Sequence, residues 1–170
     1  MRAVTSRRLV AAMAASLVFS AGGFDARAID LFGVSCSIDS TSPIVFGRYD
    51  PNANGPVDAQ GQVVYRCRRR DNRVFDGRGR ARVQISLSTG LTGTYDRRMW
   101  GARDRLQYNV YLDATRHVIW GDGTRGTSVI TDEVRPDNDP HVVPAFGRLF
   151  ANQDVWYGLY GDNLVVTLDF

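Results

Sequence analysis

Few residues in this chain have chemistry to offer: two cysteines, two histidines, and several clusters of acids and arginines. Cys36 and Cys67, an even pair in a chain that opens like an exported one, read as a single disulfide rather than a metal site. Closing a loop of that length contributes roughly 3–4 kcal/mol if the stabilisation is chain entropy removed from the unfolded state. Neither His117 nor His141 stands at ligand spacing from a cysteine, and neither lies in a nucleophile motif. Asp137-Asn138-Asp139 sits between Pro136 and Pro140 and reads as a turn, since calcium asks for roughly six to eight oxygens. Arg66, Arg68, Arg69 and Arg70 bracket Cys67, followed by Asp71 and Asp76, with only Phe75 as a nearby aromatic. Nucleic-acid grooves interleave aromatics with cations, so this cluster reads as a solvated loop. No enzymatic activity, metal or cofactor is expected, and no nucleic-acid partner.

The elements that position these residues begin after a leader. Arg2, Arg7 and Arg8 form a positive head, and Leu9 to Phe19 is an apolar run short of a comfortable bilayer span. Ala26-Arg27-Ala28 supplies the small-x-small cleavage pattern, so residues 1–28 are expected to be a signal peptide and 29–170 one exported domain. The formal charge of +3 belongs to that leader. Removing it takes four arginines and Asp25, and the remainder is formally neutral. A basic pI would have pointed to nucleic acid or membrane surfaces; the exported domain has no such excess. No second apolar run approaches transmembrane length, so no membrane span is expected after cleavage.

Beyond Cys36 the pattern is short alternating segments separated by Gly, Pro, Asn and Asp. Ile44-Val45-Phe46, Val63 to Cys67, Val83 to Leu87, Leu106 to Leu112, Val118-Ile119-Trp120, Arg148 to Ala151 and Val155 to Tyr157 are strand candidates. Residues 125–144 read as one long loop. No window after residue 28 carries a helical stripe, and short strands with regular turns indicate an all-β sandwich or barrel. Tyr108, Tyr111 and Trp120 read as core and turn packing rather than a sugar platform.

The closing segment, residues 163–170, alternates cleanly. Leu164, Val166, Leu168 and Phe170 share one face, with Val165, Thr167 and Asp169 on the other. Two readings stand. The strand is paired between earlier strands of its own domain, or it borders an incomplete sheet that awaits a strand from another molecule.

Residues along the whole exported chain resemble the spore coat protein U (SCPU) domain family. Cys36, Phe46-Gly47-Arg48-Tyr49-Asp50-Pro51 and Gly61 to Cys67 match its opening. Ile85 to Gly90, Arg98-Met99, Leu106 to Asp113, Trp120 to Thr124, Gln153, Gly158 to Asp162 and the terminal Val-Thr-Leu-Asp-Phe follow in order.

The resemblance implies an incomplete immunoglobulin-like β-sandwich lacking its last strand, completed by donor-strand complementation. Such domains are non-enzymatic subunits of archaic, Csu-type chaperone–usher pili and of related coat assemblies. The implied partners are a periplasmic chaperone, an outer-membrane usher and neighbouring pilus subunits, with export to the periplasm and then the cell surface, a fimbria or the medium. Leu164, Val166, Leu168 and Phe170 would line the acceptor groove. Only Ile29 to Ser35 precede Cys36 after cleavage, too few to lie along a neighbour's groove, which implies a tip or terminal subunit. The alternatives are a secreted, self-contained coat protein and, further off, a carbohydrate-binding sandwich.

Overall fold

The computed structural model describes residues 8–14, 33–70 and 80–170. The leader's cleavage pattern at 26–28 and the loop residues Asp71, Phe75 and Asp76 lie outside them. The strands are β1 (Arg8–Ala14), β2 (Val34–Ser42), β3 (Val57–Arg69), β4 (Ala81–Leu87), β5 (Arg98–Trp100), β6 (Arg105–Tyr111), β7 (Ile130–Val134), β8 (His141–Leu149) and β9 (Asn163–Asp169). One sheet runs β1-β9-β4-β7 and the other β2-β3-β8-β6-β5, and the pairings are antiparallel. The two pack face to face as an immunoglobulin-like sandwich.

Alternation decides which side chains meet between the sheets. In β4, Ala81, Val83, Ile85 and Leu87 are buried while Arg82 and Gln84 are exposed. Each fully buried Val, Ile or Leu contributes about 1.5–3 kcal/mol relative to exposure. β6 breaks the pattern: Tyr108, Asn109, Val110 and Tyr111 are all buried, because the outer face of this inner strand is covered too. Tyr108, Tyr111 and Trp120 are core residues, Trp120 donating its indole N–H to the Ile85 carbonyl at 3.2 Å.

Several local expectations change. Ile44-Val45-Phe46 is not a strand. It is an extended crossing in which Ile44 is buried and Phe46 meets Tyr108 edge to face at 6.0 Å. Gly147 of β8 makes the crossing possible, since a Cβ there would lie 2.6 Å from Ile44 Cγ2 and 2.8 Å from Phe46 Cζ. Residues 125–144 are not one loop: β7 pairs with β4, and β8 begins at His141. Thr131, Asp132 and Glu133 hide the signal of β7, an edge strand with a polar outer face, and Pro144 interrupts the apolar run of β8. Val118-Ile119-Trp120 forms only isolated bridges, Tyr111 to Ile119 and Trp120 to Ser128, and Val155 to Tyr157 is loop. The arginines Arg66, Arg68 and Arg69 belong to strand β3, not to a loop. A bulge between Ile38 and Ser40 leaves Asp39 out of register, where its carboxylate receives Arg66 Nε–H.

Cys36 of β2 and Cys67 of β3 face each other in register and are bonded, both fully buried. The bond clips edge strand β2 to the sheet across 31 residues of sequence. Replacing both cysteines by serine should lower unfolding free energy by roughly 3–4 kcal/mol, the loop entropy restored to the unfolded chain. Denaturant midpoints of the exported protein with and without reductant check this; equal midpoints would refute it.

Candidate functional site

β9 has a finished inner face. With β1 in place Leu164, Val166 and Leu168 are buried, and Phe170, one residue beyond the strand, is half-buried against the same core. One edge of β9 pairs with β4, from Gln84 opposite Asp169 to Leu87 opposite Val166. Ser88 prolongs that ladder: its N–H donates to the Val165 carbonyl at 2.9 Å, and its Oγ accepts the Val165 N–H at 2.8 Å.

The other edge of β9 is met by β1. β1 runs antiparallel to β9 in unbroken register, from Arg8 opposite Asp169 to Ala14 opposite Asn163. β1 also approaches β2, the edge strand of the opposite sheet. The seat lies between β9 and β2, at the side where the sandwich would otherwise be open. Its geometry is that of an added strand, with backbone pairing along the whole of β9.

A buried polar frame holds the entry to β9. Asp162 Oδ1 accepts the backbone N–H of Leu91 at 2.9 Å and of Asn163 at 2.8 Å, while Oδ2 accepts the Tyr108 hydroxyl at 2.7 Å. Burial raises the Asp162 carboxyl above the ordinary aspartate value, against these hydrogen bonds and the Arg97 charge, which pull it down. The same burial, with Asp162 beside it, pushes the Tyr108 phenol upward. Gly90 is required here: its φ is +70°, and a Cβ would stand 2.2 Å from Asp162 Oδ2.

Beside this frame Arg97 is fully buried. Its Nη1 donates to Asn109 Oδ1 at 2.7 Å, and its Nη2 to the carbonyls of Ser88 and Trp120 at 2.7 Å each. Nε adds a bond to Ser88 O at 3.0 Å, and Tyr95 lies under the guanidinium at 5.0 Å. The planar five-donor fork suits several acceptors converging from different directions, which a lysine could not match. Sequence reading missed Arg97. A single arginine among 21 basic residues carries no mark of burial.

The remaining candidates do not converge on a reactive centre. His117 is exposed and its backbone N–H caps onto Asp113. His141 stacks on Tyr65 at 5.1 Å. Asp137 accepts the Asp139 N–H at 3.1 Å across a turn with Asn138 at φ +71°. No group of three or more His, Cys, Asp or Glu capable of holding a metal occurs among the described residues. No helix among them is long and apolar enough to cross a membrane.

Fold and site together define a two-sheet, immunoglobulin-like β-sandwich whose closing strand carries an added strand on its outer edge. The chain belongs to the Spore Coat Protein U domain family, whose model matches residues 24–167. It is 30% identical over 146 residues to Protein U of Myxococcus xanthus, covering 81% of this chain and 79% of that protein. A solved structure it resembles is the CsuC–CsuE chaperone–tip adhesion subunit pre-assembly complex from archaic chaperone–usher Csu pili of Acinetobacter baumannii. That match has 17% identity and a TM-score of 0.48, covering 81% of this chain and 40% of that chain, so this protein spans less than half its length.

Two outcomes follow from the buried frame. Arg97→Met removes the guanidinium donors from Ser88 O and Trp120 O and leaves Asn109 Oδ1 only the Val110 N–H, and should lower stability by roughly 3 kcal/mol or more. Arg98→Met, at an exposed position, should change little; denaturant titration compares them. Asp162, its folded pKa raised, favours the fold most below the unfolded aspartate value of about 3.9. That contribution is lost as pH rises through the folded value. The stability difference between the native protein and Asp162→Asn should therefore fall with rising pH, and a flat difference would contradict it.

Proposed function

We propose that this protein is a non-enzymatic structural or tip subunit of a surface fibre or coat, exported and assembled by donor-strand complementation at the outer edge of β9. The observation that supports it is the seat of β1: all seven residues pair antiparallel with β9, on the edge that β4 does not occupy. Residues 8–14 fall within the leader expected to be removed on export. Their loss bares the N–H and C=O groups of that edge beside the core that Leu164, Val166, Leu168 and Phe170 line. An uncovered edge beside apolar side chains is an aggregation template. A periplasmic chaperone would cover it first. A strand from a neighbouring subunit would replace the chaperone at an outer-membrane usher, leaving the protein at the cell surface, in a fimbria or in the medium. Ladder bonds supply affinity for any extended backbone, while side chains at alternate positions set register and partner choice.

Membership in a family described by a spore coat protein favours a second reading, a secreted coat protein whose β9 edge is covered by its own chain.

Co-expression with the cognate chaperone tests both. Native subunit should be recovered as a soluble complex, whereas Val166→Asp and Leu168→Asp should be recovered at least about tenfold less, because each puts an unpaired charge at a fully buried position. A native protein that is a soluble, folded monomer without any chaperone would overturn the assembly reading and leave the self-contained coat protein.

A further inference from the structure

The edge strand at the far end of the second sheet carries a surface that neither the core nor β9 uses. β5 presents Trp100, 44% exposed, and the turn from Gly101 to Asp104 closes with a 2.9 Å bond from Gly101 N–H to the Asp104 carbonyl. In register across β6 stands Arg105, whose guanidinium lies 3.8 Å over the Trp100 ring. The loop before β9 adds Trp156, 49% exposed, with Arg103 stacked 4.4 Å over its ring. This loop is held in place. Trp156 N–H donates to Asp104 Oδ2 at 2.8 Å, and the Tyr160 hydroxyl donates to the Trp156 carbonyl at 2.5 Å. The exposed Tyr157 ring leans on Trp156 at 5.5 Å, and Leu159 projects beside it in sequence.

Large apolar side chains clustered in the open on a fixed loop mark a binding surface more often than accidental exposure. The charges say what kind. Arg98 is committed to Asp96 at 2.8 Å, but Arg103 and Arg105 lie within ion-pair distance of no carboxylate among the described residues. Both are aligned on indole faces, which orients the fork without consuming its donors. Asp104 and Asp154 line the same depression of about 510 Å³.

We infer that the depression lined by Trp100, Arg103, Asp104, Arg105 and Asp154, with Trp156 exposed next to its wall residue Val155, binds an acidic polysaccharide, one with carboxylate-bearing sugar rings. The C–H face of a sugar ring packs on an exposed indole. The ring's carboxylate meets Arg103 or Arg105 through paired, charge-assisted hydrogen bonds. Its hydroxyls donate to Asp104 and Asp154. Those two carboxylates call for donors, which the hydroxyls of every sugar ring supply and a phosphate backbone does not, and the chain beyond the leader has no net positive charge to hold a nucleic acid through its phosphates alone. Tyr108, Tyr111 and Trp120 are buried and take no part.

The exported full-length protein, with any chaperone that accompanies it, is run through native gels containing polygalacturonate or neutral dextran. Polygalacturonate should retard it and dextran should not. Trp100→Ala and Arg103→Gln should each weaken retardation tenfold or more, while Arg82→Gln, an exposed arginine on β4, should leave it unchanged. Both test positions are exposed, and Arg103→Gln keeps the aromatic surface intact. Three results would each overturn the inference: absence of retardation, equal retardation by dextran, or retardation that survives both substitutions. Capture of a protein partner through Trp100 without polysaccharide retardation would overturn it as well. Chaperone recovery of the same variants reports on β9 separately, so the two readings fail independently.

Discussion

A β-strand has two hydrogen-bonding edges, and β9 satisfies one of them through β4 and Ser88. Among the described residues its other edge is met by β1 alone. Backbone N–H and C=O groups beside a buried core must find partners, because water cannot reach them cheaply and each unmet group costs on the order of 1–3 kcal/mol. Over a seven-residue strand that demand is large compared with the net stability of a domain, about 5–15 kcal/mol. What covers this edge therefore bears on whether the chain is stable, soluble and assembled.

The opposite requirement holds at the start of the same strand. Asp162, Tyr108 and Gly90 fix the chain where it enters β9, and Arg97 ties Ser88, Asn109 and Trp120 to one guanidinium. Buried polar networks of this kind add little net stability over apolar packing, but a partly satisfied one is costly, so they specify one arrangement. Ser88 joins the two features. Its carbonyl belongs to the Arg97 network while its N–H and Oγ pair with Val165. The strand whose outer edge β1 meets is thus presented in a fixed register by a rigid support, which lowers the ordering cost of pairing a strand with it.

The aromatic corner at Trp100 and Trp156 uses different parts of the chain. It stands on β5, the edge farthest from β2 in strand order, and on the loop that leads into β9. The surface inferred for a ligand and the outer edge of β9 therefore involve different residues, one presenting rings and charge and the other backbone.

The amino-acid pattern by itself determined the all-β class and the alternation of β4, β6 and β9, because inward and outward residues differ in hydrophobicity at period two; the family came from the resemblance of motifs running in order from Cys36 to Phe170. It also named Cys36 and Cys67 as a pair, since two cysteines in an exported chain have few other uses. Only the tertiary structure decided the rest. The polar strands β7 and β2 gain their pairing from neighbours far along the chain, so nothing local announces them. Ile44 to Phe46 looked like a strand because crossing a sheet and joining one both demand apolar residues; Gly147 beneath them selects the crossing. Arg97 is chemically the same residue as the exposed Arg98, and three distant acceptors converging on one position make it a core residue. Trp120 and Trp156 differ in the same way. One indole is enclosed by the core and the other is left in the open, because burial depends on which surfaces the fold brings over each ring.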